Sequence, residues 1–465
     1  MPDHFISFPQ DFIWGSATSA FQIEGYPLAD GAAKSNWYEW THTPGRIKNG
    51  DTADMAIDHY HLYKEDVAIM KQMGLKSYRF SISWPRIIPE RGKVNEKGLD
   101  FYRRLIQELL AAGIKPNVTL FHWEVPVWAE GGWENRETAL AFQEYAEVLF
   151  KAFGNDVPFW ATMNEPSIVS GHGYLHAYFP PGKKDKPLFA KVVHHLNLGH
   201  ALAVQSYRKM NLKGQIGLVL AIFPFYSRTG DPEEKKYAQK MFDVHNGIFL
   251  NPSVGRPYPP FFFEFTGTNP ADFEKDSVIF NQPVDFLGVN HYNPSFAKYV
   301  KDLNIWDNDG KPIDGMPTNE LGWPVSPTAL YDLLIFLWKE YGHKQMLITE
   351  NGYPHLTSNH TLEELLEDDA RVHYYGTYME QAQKAIRAGV PLTGYYPWSL
   401  FDNFEWCEGN NPRFGLIHVD YKTLKRTFKK SAYWYQKLIT QNGFDVGLLP
   451  KNPNYPIYHD KPKAE

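Results

Sequence analysis

Two short segments of the chain place a glutamate beside an asparagine at the end of an apolar run. These are "TMNEP" (162–166), which contains Glu165, and "ITENG" (348–352), which contains Glu350. Two carboxyl groups that face each other across a bound sugar can cleave a glycosidic bond, one as proton donor and the other as nucleophile or base. One strand-end glutamate alone could equally cap a helix or pair with an arginine. The matched pair favours catalysis.

A repeating alternation of elements would bring the two segments together. Eight short runs rich in apolar and β-branched residues have the pattern of parallel strands that are covered on both faces. The runs are 12–19, 76–83, 115–123, 158–164, 215–221, 284–292, 345–351 and 392–400. Helical patterns between them are 58–74, 95–113, 134–154, 189–210, 328–342 and 363–389, with helix C-caps expected at Gly74, Gly113 and Gly154.

Eight strands alternating with helices predict a (β/α)8 barrel with extended loops, formed by residues 1–465 as a single catalytic domain. A doubly wound sheet is the alternative, but the glycine-rich phosphate loop typical of that fold is absent from the sequence. In a barrel, the carboxyl ends of the strands carry the chemistry. Arg79, if it lies near Glu350, would keep that carboxylate ionised, and an apolar setting by Trp123 and Trp160 would keep Glu165 protonated.

Four motifs give the chain a resemblance to a known family. They are "FIWGSATSAFQIEG" (12–25), "TMNEP", "ITENG" and "WSLFDNFEW" (398–406). Together they resemble glycoside hydrolase family 1, which contains retaining β-glucosidases and β-galactosidases, and the likeness covers essentially the whole chain. The resemblance implies a (β/α)8 barrel, Glu165 as acid/base, Glu350 as nucleophile, and carboxyl groups about 5–5.5 Å apart.

The resemblance also implies roles for further residues, none of which follows from their spacing alone. Arg79 and Tyr292 would support the nucleophile. Residues that would bind the non-reducing sugar are Gln22, His122, Asn164, Trp398, Glu405 and Trp406. Within that set, Asn164 would hold the 2-hydroxyl. Trp323 matches a tryptophan at the entrance, where the leaving group stacks, and simple loop packing is its equal alternative.

The expected activity is hydrolysis of β-glucosides from the non-reducing end, together with some action on β-galactosides or β-fucosides. A 6-phospho-β-glycosidase and a non-catalytic sugar-binding barrel are the alternatives. The family's 6-phospho-glycosidases carry serine at the place of Glu405, lysine at Pro412 and tyrosine at Phe414. The residues at these three positions therefore predict that the substrate sugar carries no phosphate. The expected partner is a small β-glycoside or short oligosaccharide.

Composition excludes several other classes of function. A net charge of -6 without a basic run argues against nucleic acid as the main partner. No apolar run has the length of a membrane span, and the first residues lack a signal-peptide pattern, so a cytoplasmic location is expected. The 14 Trp, 28 Tyr and 31 Phe suggest a ligand that stacks on rings. Homo-oligomerisation stays open.

No cofactor and no catalytic metal are expected. The sequence lacks H-E-x-x-H, so a metal-dependent hydrolase has no convincing ligand set. His59 and His61 form an H-x-H pair at a helix start, while His194 and His195 are helical neighbours that point in different directions; both pairs are interpreted as structural. The single cysteine, Cys407, is interpreted as packing.

Overall fold

The computed structural model describes residues 4–300, 305–307, 313 and 315–451. Within this part of the chain, eight parallel strands close into a barrel, and helices lie between successive strands. The predicted (β/α)8 fold is confirmed.

Strands and helices are numbered separately in chain order. The strands are β1 (Phe5–Ser7), β2 (Ile13–Ala17), β3 (Ser77–Ser81), β4 (Lys115–Phe121), β5 (Phe159–Asn164), β6 (Gln215–Ala221), β7 (Phe225–Ser227), β8 (Phe286–Asn290), β9 (Ser295–Val300), β10 (Ile305–Asp307), β11 (Met346–Asn351), β12 (His355–Leu356), β13 (Leu392–Pro397), β14 (Pro412–Arg413), β15 (Ile417–Val419), β16 (Arg426–Phe428) and β17 (Gly443–Asp445). The helices are α1 (Ala20–Ile23), α2 (Asn36–Thr41), α3 (His59–Met73), α4 (Trp84–Ile87), α5 (Glu96–Ala111), α6 (Arg136–Phe153), α7 (Pro166–Tyr174), α8 (Lys186–Lys209), α9 (Pro232–Phe242), α10 (Ile248–Ser253), α11 (Pro260–Thr266), α12 (Glu274–Phe280), α13 (Pro327–Tyr341), α14 (Leu362–Glu367), α15 (Asp369–Arg387) and α16 (Lys430–Gln441).

Each predicted strand run contains one barrel strand. The barrel order is β2, β3, β4, β5, β6, β8, β11 and β13, and β13 pairs with β2 to close the ring. All residues of β3, β5, β8 and β11 are buried, as expected for strands with side chains in the barrel on one face and helices on the other. The carboxyl ends of all eight strands therefore open on one face of the barrel.

Helices α3, α5 and α6 end at the three predicted glycines. Gly74 caps α3 with φ +78°, and Gly113 follows α5 with φ +76°, both in the left-handed region that favours glycine. Gly154 is the C-cap of α6, as predicted, but unlike the other two glycines it keeps a helical φ of -59°. A Cβ there would lie 2.7 Å from Leu212 Cδ2, so close packing explains the glycine.

The predicted helix over 363–389 is two helices, α14 and α15, separated at Asp368. This residue has φ 0° and ψ 47°, which no helix accommodates. Its buried carboxyl accepts hydrogen bonds from Ser431 N–H (2.8 Å) and Ser431 Oγ–H (2.6 Å), and it also pairs with Arg371. A tertiary contact with α16 thus overrides the local helical pattern.

The loops beyond β6 and β8 contain elements that the sequence pattern did not predict. Strands β7, β9 and β10 form a small separate sheet, and α9–α12 lie between β7 and β8. Outside the barrel, the first strand, β1, pairs antiparallel with the last strand, β17. No helix in the described ranges has the length and apolarity needed to span a membrane.

Candidate active site

Glu350 lies at the end of β11, is buried, and has a donor on each carboxyl oxygen. Arg79 Nη1 donates to Oε1 at 2.6 Å, and the Tyr292 hydroxyl donates to Oε2 at 2.8 Å. Arg79 comes from β3, three strands away from β11 around the barrel, and is itself fully buried. The structure thus brings the two predicted supporting residues into contact with Glu350. A buried ion pair of this kind fixes the direction of the carboxylate.

Glu165 follows β5 and precedes α7, whose first residue is Pro166. Its backbone has φ 49° and ψ 56°, in the left-handed region, which costs about 1–3 kcal/mol for a residue with a side chain. Asn290 Nδ2 donates to Glu165 Oε1 at 2.8 Å. Burial, reinforced by the negative charge of Glu350, raises the pKa of the Glu165 carboxyl to about 8. Glu165 therefore holds a proton at neutral pH.

One hydrogen-bonded network joins the two carboxyl groups. Arg79 Nη2 donates to Asn164 Oδ1 at 2.7 Å, and Asn290 Nδ2 donates to the same oxygen at 2.9 Å. Because Arg79 also binds Glu350 and Asn290 also binds Glu165, Asn164 connects both sides of the site. The side-chain amide of Asn164 is thereby oriented with Nδ2 towards His122 Nε2, 3.1 Å away.

The other predicted sugar-binding residues form a wall of rings and amides. The His122 ring is nearly parallel to those of Trp398 and Trp406, with ring centroids 6.0 and 6.1 Å away. Trp398 Nε1 donates to Glu405 Oε1 at 3.3 Å, and burial raises the pKa of the Glu405 carboxyl well above its usual value. Burial likewise lowers the pKa of His122 well below its usual value, so this imidazole is neutral.

Gln22 lies after β2 and is fully buried. Its Oε1 accepts from Ser19 Oγ–H at 2.6 Å, and its Nε2 donates to Asn403 Oδ1 at 3.0 Å and to the Phe404 carbonyl at 2.8 Å. These contacts connect Gln22 to the segment that leads into Glu405. The amide therefore has a fixed orientation before any ligand binds.

Trp323 lies on the Tyr292 side of the barrel mouth and is half-buried. Its ring centroid is 5.7 Å from that of Tyr292 and 6.2 Å from that of Phe414. Since Tyr292 contacts Glu350, Trp323 is one ring away from the proposed nucleophile. The contact with Phe414 also meets the description of loop packing, so both interpretations of Trp323 stay open.

Sequence reasoning missed two contributors, Asn290 and Thr349. The sequence analysis assigns no role to Asn290, and it includes Thr349 only as part of the motif "ITENG". In the structure, Thr349 Oγ1 donates to Asn290 Oδ1 at 2.7 Å, which leaves Asn290 Nδ2 to face Glu165. No local signal in the sequence shows such a contact between strands.

Of the two tryptophans predicted to lie near Glu165, Trp123 lies in the site and Trp160 does not. Trp123 lies in the site, where its Nε1 donates to the Asn164 carbonyl at 3.1 Å and its ring is 4.4 Å from that of Trp406. Trp160 instead packs outward against Phe150 of α6, with centroids 5.1 Å apart. The expectation that Trp160 surrounds Glu165 was therefore wrong: its side chain is on the helix-facing side of β5.

The remaining candidate side chains have ordinary structural partners. Their contacts are His59 with Asp66 (2.8 Å), His61 with Asp58 (2.6 Å), His194 with Asp276 (3.0 Å), His195 with the Trp133 carbonyl (2.9 Å), and Cys407 with the Tyr178 carbonyl (3.2 Å). His59 is buried whereas His61 is exposed, so the two rings of the H-x-H pair do not converge.

Replacing Thr349 by valine is expected to lower kcat/KM about fivefold, the value of one hydrogen bond of about 1 kcal/mol. Asn290 would lose the contact that orients its amide. Because its hydrogen bond to Glu165 favours the carboxylate, weakening that bond should move the alkaline limb of the pH profile above about 8. Thr349→Ser, which keeps the hydroxyl, is the control. A slower Thr349→Val enzyme with an unmoved alkaline limb would contradict the positioning role.

Comparison with known proteins gives one consistent result. The family model described as glycosyl hydrolase family 1 matches residues 4–444. Beta-glucosidase A of Acetivibrio thermocellus is 44% identical over 449 residues, which cover 94% of this chain and 99% of that protein. The 1,4-beta-D-glucan glucohydrolase of Thermotoga neapolitana is 43% identical over 443 residues, with coverage of 94% and 99%.

A solved structure agrees with these sequence matches. The beta-glucosidase from Thermotoga maritima in complex with glucoimidazole superposes with a TM-score of 0.89 at 41% identity, covering 94% of this chain and 100% of that one. The same enzyme is also solved in complex with castanospermine, with a TM-score of 0.88.

Proposed function

The chain belongs to glycosyl hydrolase family 1, and from this premise we propose that it hydrolyses β-D-glucosides from the non-reducing end with retention of configuration. The observation that carries the proposal is the contrast between its two buried carboxyl groups. Glu350 is paired with a cation and a phenol, while Glu165 holds a proton at neutral pH. Acid and nucleophile roles require such a contrast.

In the first step, a Glu350 carboxylate oxygen forms a bond to the anomeric carbon of the sugar. The bond from that carbon to the glycosidic oxygen breaks, and the Glu165 proton moves to the leaving oxygen. Arg79 and Tyr292 hold Glu350 in one orientation, so the attack needs little side-chain ordering. The sugar is then attached covalently to Glu350.

In the second step, Glu165 acts as a base. Its carboxylate, left after the first proton transfer, takes a proton from water while the water oxygen attacks the anomeric carbon. The bond to Glu350 breaks and Glu165 is protonated again. Two displacements on opposite faces return the original anomeric configuration. A pKa of about 8 suits a group that must give and retake a proton.

The sugar-binding side of the site supports action at a chain end. His122, whose ring is nearly parallel to those of Trp398 and Trp406, and the oriented Asn164 amide would contact the ring and hydroxyls of one sugar. Glu405 is buried, and hydroxyl donors from the 4- and 6-positions would supply hydrogen bonds that favour its carboxylate form. Trp323 would receive the leaving group on the other side.

Substrate preference is proposed from the relatives and from the pocket. The relatives carry the names beta-glucosidase and 1,4-beta-D-glucan glucohydrolase, so glucose is the proposed sugar, with galactose and fucose as weaker alternatives. A phosphate dianion at the 6-position would face Glu405. The neighbouring Arg413 is engaged with Thr357 Oγ1 (2.9 Å) and the Val419 carbonyl (2.8 Å), and it also faces Asp402.

A substrate panel with product analysis tests the proposal. The enzyme is expected to cleave an aryl β-D-glucoside with kcat/KM at least about 100-fold above that for the 6-phospho-glucoside, equivalent to about 2.7 kcal/mol. Proton NMR of the first turnovers should show the β-anomer of glucose. The kcat/KM values for the matching aryl β-galactoside and β-fucoside show in which order the enzyme prefers the three sugars.

Two outcomes would count against this function. Initial release of α-glucose would mean inversion, and Glu350 would then not form a covalent bond to the sugar. Comparable turnover of the phosphorylated substrate would end the argument from Glu405.

A further inference from the structure

Three side chains outside the sugar site converge on one point at the rim of the barrel. Glu320 Oε1 lies 2.9 Å from His355 Nδ1 and 2.6 Å from His360 Nε2. The three potential ligand atoms all lie within 4.8 Å of one another. Glu320 belongs to the segment that leads to Trp323, whereas the two histidines belong to the loop after β11. The cluster therefore joins two loops that are distant in sequence.

We propose that Glu320, His355 and His360 bind a divalent transition-metal ion, and that zinc is the best match. Two imidazole nitrogens and one carboxylate oxygen form a donor set that zinc accepts readily in tetrahedral sites. Three protein ligands leave a fourth position for water. Calcium and magnesium prefer oxygen ligands and would bind such a set poorly.

The carboxylate is also aimed at the site by contacts on its other oxygen. Leu356 N–H donates to Glu320 Oε2 at 2.9 Å, and Asn359 Nδ2 donates to the same oxygen at 3.1 Å. These bonds leave Oε1 pointing between the two imidazoles. Contacts of this kind, behind the ligand atoms, orient metal ligands in proteins.

Binding requires only a small adjustment. Zinc bonds of about 2.0–2.1 Å place tetrahedral ligand atoms about 3.3 Å apart, so His355 Nδ1 and His360 Nε2, now 2.9 and 2.6 Å from Glu320 Oε1, would move outward by about 0.4 and about 0.7 Å. Each imidazole proton would move to the opposite nitrogen. For His360 that nitrogen, Nδ1, lies 3.9 Å from Glu364 Oε2, so the exposed Glu364 side chain would have to move closer to accept a hydrogen bond from it. For His355 it is the buried Nε2, which has no hydrogen-bond partner in the described ranges.

Solvent access differs among the ligands in a way that suits ion entry. The side chains of His360 and Glu320 are 25% and 19% exposed, whereas that of His355 is 7% exposed. An ion can therefore reach two ligands from solvent and be held against the third. Trp323 N–H donates to Asn319 Oδ1 at 3.0 Å, next to Glu320, so the ion would also steady the segment that carries Trp323.

Zinc titration of the chelator-treated, dialysed protein by calorimetry tests the proposal. We expect one zinc ion per chain, with affinity at least tenfold lower in both His360→Gln and Glu320→Gln. His61→Gln is the matched control, because His61 is exposed and pairs with Asp58 far from this cluster. Zinc should also raise the unfolding midpoint of the wild type and of His61→Gln but not of His360→Gln.

A purely hydrogen-bonded cluster would give a different pattern. In that case zinc would bind the wild type and His360→Gln equally well, or not at all, and the unfolding midpoint would not respond to zinc. Either result would overturn the site. Neither readout depends on glycosidase activity, so failure here would leave the proposed function untouched.

Discussion

Replacing Glu350 by alanine is expected to lower kcat/KM for an aryl β-glucoside by about 10⁵-fold or more, equivalent to about 7 kcal/mol. The variant lacks the atom that bonds to the anomeric carbon. It also leaves the Arg79 cation buried without its carboxylate, which costs about 3–5 kcal/mol of stability. Circular dichroism and a thermal melt must therefore accompany the kinetics. Glu350→Gln, which keeps the volume and an acceptor for Arg79, is the matched control.

Azide distinguishes a lost nucleophile from a damaged fold. In Glu350→Ala, azide can occupy the space left by the carboxylate and attack the anomeric carbon from the same face. An activated aryl leaving group departs as the phenolate without a proton from Glu165, and the product is the α-glycosyl azide. Undiminished hydrolysis in the variant would end the nucleophile assignment of Glu350.

Replacing Glu165 by alanine is expected to have the second largest effect, and its size should depend on the leaving group. For an alkyl β-glucoside, whose leaving oxygen needs a proton, kcat/KM should fall by about 10³–10⁴-fold. An aryl glucoside with an acidic phenol should lose much less in the glycosylation step. Alanine has a side-chain carbon like glutamate, so the left-handed backbone at position 165 stays equally strained.

The pH profile supplies the second half of that prediction. The proton-donating form of Glu165 is present below its pKa of about 8 and is lost as the pH rises through that value. Wild-type kcat/KM on an alkyl glucoside should therefore fall on the alkaline side, and Glu165→Ala should lack that limb. Glu165→Gln, which still accepts from Asn290 but has no acidic proton, should behave like alanine. Equal losses on alkyl and aryl substrates would exclude the acid role.

The barrel could be predicted because its signal is local and repeated. A run such as 215–221 is apolar from Ile216 onwards, and the strand β6 has the same bounds as the run. The helix break at Asp368 could not be predicted, since the pattern around it is helical and the competing contact comes from Ser431. Local sequence describes what a segment prefers on its own, whereas a distant hydrogen bond can override that preference.

In the candidate active site, too, some features could be predicted from the sequence and others could not. Matching motifs singled out Glu165 and Glu350, and the structure places both at the barrel mouth in one network. The left-handed backbone of Glu165 has no sequence signal, because glycine or asparagine is the usual residue there. The hydrogen bonds from Thr349 to Asn290 and from Asn290 to Glu165 depend on the stagger between strands, which the sequence does not show. The H-x₄-H spacing of His355 and His360 likewise does not indicate that Glu320 lies beside them.

The sharing of Arg79 and Asn290 between several partners has a consequence for how the site can evolve. Arg79 serves both Glu350 and Asn164, and Asn290 serves both Asn164 and Glu165. Substitutions within such a set are epistatic: the effect of the second depends on whether the first is already present. Most orders of change therefore pass through a poorly active intermediate. Substitutions in loops that share no partner with this set are expected to combine nearly additively.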